Sequence, residues 1–185
     1  MSDFWGLSDG DTVQATTSYE SAGGSIDPIP DGTQVLASID EAKWDSYNGE
    51  EYISLRFTVL QPEAYKNRKI FPKLWVLGNN PEKKDPEKRK KQGDNAKRML
   101  AAIDTIAGGK LLAKGGKPTD TDLQSSLMGK PMVLRLGVYD MMGEDGTRRI
   151  GNWVQQVAAK NGATVQEAPK PVAQNNSLDG DEIPF

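Results

Sequence analysis

The chain has 185 residues, with 19 Gly, 11 Pro, 23 basic and 26 acidic side chains, and neither Cys nor His. That length suits one compact domain with tails, and a hydrophobic share of 36% leaves a good part of the chain outside any core. The missing residue types exclude disulfide frameworks, thiolate or imidazole catalysis, Ser-His-Asp triads and Cys- or His-ligated metals.

Residues 1–32 read as an acidic lead-in, rich in Gly and Ser and closing on Asp27-Pro28-Ile29-Pro30-Asp31-Gly32. Its first ten residues have no apolar run, and no 18-residue apolar stretch occurs anywhere, so we expect a soluble, cytoplasmic protein with no membrane partner. Strand patterns then begin. Thr33 to Trp44 alternates weakly and Glu51 to Leu60 alternates cleanly, with Asn48-Gly49 between them. Asn-Gly tolerates the two positive φ values of a type I′ turn, which predicts a hairpin. A third strand is predicted over Arg68 to Leu77.

Pro81 to Lys91, dense in charge, reads as a solvated loop. From Asp94 to Ala107 the apolar residues Ala96, Met99, Leu100, Ile103 and Ile106 have helical spacing, and Gly108-Gly109 supplies the stop. A Gly- and Lys-rich loop follows over 108–119, then a helical turn at Asp122 to Met128. The fourth strand is Pro131 to Met141 and the fifth Arg148 to Ala158, separated by a turn at Gly143-Glu144-Asp145-Gly146. The expected fold class is therefore mainly β with some α (α+β): a five-stranded OB-fold barrel over 33–160, with a helix between strands three and four. An SH3-like barrel or another small α+β sheet is the alternative. Beyond Gly162 the chain has little to bury and reads as a disordered linker ending in an acidic tail, so the barrel has flexible acidic ends.

Alternation assigns the faces. Ile53, Leu55, Phe57 and Val59 form the apolar side of the second strand. Ile70, Pro72, Leu74 and Val76 do so in the third, and Met132, Leu134, Leu136 and Val138 in the fourth. The opposite face carries Tyr52, Arg56, Lys69, Phe71, Lys73, Trp75, Arg135 and Tyr139, and Tyr47 joins it across the hairpin. Cations that neutralise phosphates, interleaved with rings that stack on bases, are what a single-strand nucleic-acid binder needs. Arg149 and Trp153 share a face of the last strand that the pattern does not assign. Charge agrees: residues 66–98 hold 12 basic against four acidic side chains, between acidic ends.

The last residues are Ser177-Leu178-Asp179-Gly180-Asp181-Glu182-Ile183-Pro184-Phe185. This ending resembles the acidic tip, finishing Ile-Pro-Phe, of bacterial and some phage single-stranded DNA-binding proteins. Asn80-Pro81-Glu82-Lys83 and Gly129-Lys130-Pro131 are reminiscent of phage members. The resemblance implies an OB-fold protein, phage-encoded and acting in the host cytoplasm. Such a protein coats single-stranded DNA in replication and recombination, and recruits partner proteins through its tip. Asp179, Asp181, Glu182, Ile183, Pro184 and Phe185 would then be the partner-binding residues. Terminal-carboxylate capture is a known recognition mode, and the acids could also compete with DNA for the protein's own groove. The long acidic lead-in departs from the bacterial proteins, so their tetramer is not carried over; a homo-oligomer is one of the assemblies left open.

Gly115-Gly116-Lys117-Pro118-Thr119 fails as a phosphate loop, because Leu111 occupies the required upstream Gly position and Pro118 follows the Lys. Asp9-Gly10-Asp11 and Asp179-Gly180-Asp181 lack further ligands, so no metal site, cofactor or catalytic residue is expected and the protein is read as a non-enzyme. Two other classes are weighed: a protein-interaction adaptor whose tail mimics a host tip, and a carboxylate-only, metal-dependent nuclease.

Overall fold

The computed structural model describes residues 27–143 and 146–160. The lead-in as far as residue 26 and the tail from 161, with Asp179, Asp181, Glu182, Ile183, Pro184 and Phe185, lie outside the described residues.

Strand β1 (Gln34–Tyr47) and strand β2 (Glu50–Gln61) form an antiparallel hairpin whose closing pair is Tyr47 with Glu50. Asn48 and Gly49 sit at φ 52° and 81°, as a type I′ turn requires. After one 3₁₀ turn at Glu63–Tyr65 come two very short strands, β3 (Lys69–Ile70) and β4 (Lys73–Leu74), both paired with β2. The single third strand expected from the pattern is thus split. Pro72 has no N–H to give the ladder; only its carbonyl pairs, accepting from Leu55 N–H at 3.1 Å. From Trp75 onward the chain turns, so Leu74, Trp75 and Val76 are all buried in place of alternating.

Helix α1 (Pro86–Ala107) starts eight residues before the expected Asp94. Asp85 is its N-cap, with its side chain accepting from Glu87 N–H, and Pro86 occupies the first turn, where a missing N–H costs nothing. Gly108, at φ 68°, ends it in the left-handed region. The loop read over 108–119 holds a short helix, α2 (Leu111–Lys114). Helix α3 (Asp120–Leu127) is opened by a capping box between Thr119 and Asp122. Strands β5 (Pro131–Met142) and β6 (Arg148–Ala158) make the second hairpin.

All pairs are antiparallel and the sheet runs β3-β2-β1-β5-β6, with β4 also on β2. The ends of that order touch, β3 against β6, so the six strands curl toward closure. The core lies inside the curl. Val35, Ala37, Ile39, Ile53, Leu55, Phe57, Val59, Met132, Leu134 and Leu136 are fully buried, with Ile103 of α1 and Leu123 and Leu127 of α3 packed on them. A bulge at Asp40 switches the inward parity of β1 from Ile39 to Ala42 and Trp44, whose indole N–H donates to Pro118 O at 2.7 Å. Residues 27–32, read as lead-in, belong to this body. Ile29 is fully buried, and its N–H and C=O pair with the Asn152 side-chain amide at 2.8 and 2.7 Å.

Candidate nucleic-acid interface

Across the outer face, the 68–75 stretch stands opposite the β5–β6 hairpin, and a groove of about 350 Å³ runs between them. Lys69, Phe71, Lys73 and Trp75 line one wall, and Tyr139, Met141 and Arg149 the other, with Arg68 and Glu82 at the rim. Phe71 is 63% exposed, large for a ring of that size. Lys73 places its ammonium 5.1 Å from the centre of the Tyr47 ring and 5.2 Å from that of Tyr52, within cation–π reach. Tyr52 in turn packs on Trp75, ring centres 4.8 Å apart and planes tilted by 44°. Four cations against one carboxylate line this groove, so its field favours a polyanion.

Behind the wall lies an ion-pair cluster. Lys69 donates to Asp40 at 2.8 Å, Arg56 reaches Asp40 at 3.2 Å and Glu41 at 2.7 Å, and Lys43 meets Glu41 at 2.7 Å. Burial pushes the Asp40 carboxyl up, but hydrogen bonds from Lys69, Thr58 and Arg56 outweigh it and hold it below the usual carboxylate range. Tyr52 shifts the other way: burial, then the Asp45 charge and its hydrogen bond, raise the phenol.

Gly151 shapes the β5–β6 wall, and Gly137 does the same for the neighbouring stretch of the hairpin. Gly151 pairs with Tyr139 across the ladder, and a Cβ at Gly151 would lie 2.6 Å from the Tyr139 hydroxyl and 2.8 Å from its Cζ. The tyrosine ring therefore leans flat along the sheet over its partner. Gly137 and Trp153 repeat the arrangement with the roles of the strands exchanged, the indole Nε1 standing 2.3 Å from a Cβ position at Gly137. Small residues here let rings lie down rather than stand up.

Of the nine residues expected on this face, Lys69, Phe71, Lys73, Trp75 and Tyr139 line the groove, and Tyr47 and Tyr52 join through Lys73. Arg56 lies behind it, in the Asp40 cluster. Arg135 is exposed but away from the groove, its guanidinium over Gly32. Tyr52 and Trp75 are 6% and 2% exposed and are not the open stacking platforms that strict alternation makes them. Pattern reasoning did not select Arg68, set by the turn at Asn67 (φ 67°), or Met141. Arg149 was legible only once Val154 fixed the inward face of β6. Fold and groove together define a mainly-β antiparallel sheet with a cationic, aromatic cleft on one face. No protein-family model matches the chain, and no curated protein is significantly similar to it.

Proposed function

We propose that the protein is a non-catalytic single-stranded DNA-binding protein, phage-encoded, that coats exposed strands during replication and recombination and recruits other proteins through its tail. The observation that carries this reading is the groove in which the exposed Phe71 ring and the flat Tyr139 ring stand among Arg68, Lys69, Lys73 and Arg149. Rings offer base stacking and the cations offer phosphate pairing, which together suit an unpaired strand. We read the sheet as an OB-type barrel with its third strand broken at Phe71-Pro72. In support, the helices fall between that strand and the next long one, and β3 approaches β6.

Tryptophan fluorescence titrated with a single-stranded oligonucleotide, then with duplex and across salt, tests the reading. We expect single-strand preference and a log-affinity falling against log salt with a slope of roughly −2 to −3, for three or four phosphate contacts. An absence of affinity at low salt, or equal affinity for duplex, overturns it.

A further inference from the structure

A second hollow opens beside the cationic cleft, walled by β4, α1 and β6, and shares Lys73 with it. It measures about 330 Å³, at the small end of the ~300–1,000 Å³ of ligand sites, which suits one flat ring system. Leu74, Ala96, Met99 and Val154 make its lining mostly apolar, and no carboxylate lines it. The amides of Asn95 and Gln155 stand at its edge, held by Arg98 at 3.2 Å and Asp31 at 3.4 Å. Gln92, 7% exposed, is the buried amide of this wall, and a chain of two hydrogen bonds fixes which way it faces. Glu82 N–H donates to Asn80 Oδ1 at 3.0 Å, so Asn80 Nδ2 is left to donate to Gln92 Oε1, also at 3.0 Å. The remaining atom, Gln92 Nε2, is a buried donor without a partner. Folded proteins rarely leave such a group unsatisfied, so this wall asks for an acceptor. On the other side Trp153 lies along Gly137 as Tyr139 lies along Gly151. The two rings share the outer face of the hairpin two ladder positions apart, about 7 Å. That is about twice the ~3.4 Å rise of a stacked strand, so a strand stretched enough to unstack can lay one base on each ring.

We propose that this hollow takes one base of the strand held in the cationic cleft, that the base is thymine, and that Gln92 reads it. The proposal rests on the single-strand reading above. Thymine carries two carbonyl acceptors and a methyl group. Its O2 adjoins the sugar and stays near the backbone, so O4 is the carbonyl that reaches inward to accept from Gln92 Nε2. The methyl beside O4 meets the apolar lining, the ring face lies on Trp153, and Lys73, at the junction, holds the phosphate between this base and the one on Tyr139. Cytosine has nearly the same size but presents an amino donor where thymine has O4. Donor would then face buried donor.

Oligonucleotides of dT and of dC, equal in length, test this, because both are flexible pyrimidine strands and differ chiefly in the group beside the ring methyl position. We expect the unmodified protein to bind dT roughly ten-fold tighter, the penalty for leaving a buried donor unmet. Gln92→Glu keeps an oxygen for Asn80 and exchanges the donor for an acceptor, which suits the cytosine amino group. Affinity for dT should fall roughly ten-fold and dC should become the tighter ligand. Ala96→Leu fills the hollow and leaves Gln92 in place. It should bring dT down to the dC level with an unchanged salt slope, and it decides the matter if Gln92→Glu melts early. Equal affinities of the unmodified protein for dT and dC, or a dT preference that survives both substitutions, overturn the pocket and leave the single-strand reading standing. Absence of affinity for either oligonucleotide at low salt overturns that reading and the pocket with it.

Discussion

Phe71 and Trp75 are neighbours in the groove with opposite surroundings. The Phe71 ring has solvent over most of its surface, whereas Trp75 is 2% exposed and packed on Tyr52. Phe71→Ala should weaken single-strand affinity by ~1–3 kcal/mol, one stacked base, and leave the thermal midpoint where it was. Trp75→Ala should cost about 3–5 kcal/mol of stability, visible as an earlier melt before any DNA is added. Equal melts for the two variants would contradict this division. Asp40 holds Lys69 and Arg56, cations that the proposed strand would compete for. A phosphate held by Lys69 would stand roughly 6 Å from Asp40, where a unit charge in water is worth ~0.7 kcal/mol. Asp40→Asn should therefore raise low-salt affinity about three-fold; an unchanged or lowered affinity in the same titration would show that Lys69 does not contact the strand.

The wall opposite is built by the β5–β6 hairpin, whose own packing depends on what its glycines leave out. Gly137→Ala would put a methyl 2.3 Å from the Trp153 indole nitrogen, so the ring has to leave its seat. Overpacking of this kind costs ~1–3 kcal/mol, and a denaturant melt should register it. A neutral result would mean that the indole does not lie on Gly137 in solution. At this scale the sequence was legible wherever one local rule decided the outcome. Asn48-Gly49 marked the first hairpin, and Ile53, Leu55, Phe57 and Val59 marked a buried face by alternation alone. It failed where two rules met. Charge made 81–91 look like loop, although Asp85-Pro86 already spelled an N-cap followed by a first-turn proline. Trp75 obeyed alternation only on paper, because the strand that would have enforced it stops at Leu74. Ile29 gave no periodic signal at all, since its place depends on the side-chain amide of Asn152, 123 residues away.

Among the described residues several acids and bases are arranged in local pairs that acid should undo. A hydrogen bond from Lys114, then those from the Thr119 backbone and hydroxyl, hold the Asp122 carboxyl far below the usual carboxylate range. Arg148 lowers Asp140, and Asp40 is lowered by its own cluster. For groups depressed in the folded state, the stabilisation is complete above the unfolded value of ~3.9 and is lost as pH falls through the folded values. The thermal midpoint should accordingly be insensitive to these groups between about pH 7 and 5 and fall below about pH 4. A midpoint already falling near neutrality would point to a different set of ionisable groups. The recumbent Tyr139 ring carries a consequence of another kind. A ring lying along a sheet turns its face outward, so under the proposed function it would meet the flat of a base rather than its hydrogen-bonding edge. In a double helix every flat is already covered by the next rung and only edges look out. In the proposed complex, therefore, the choice between one strand and two is made by visibility, before charge has any vote: the duplex offers this wall nothing it can read.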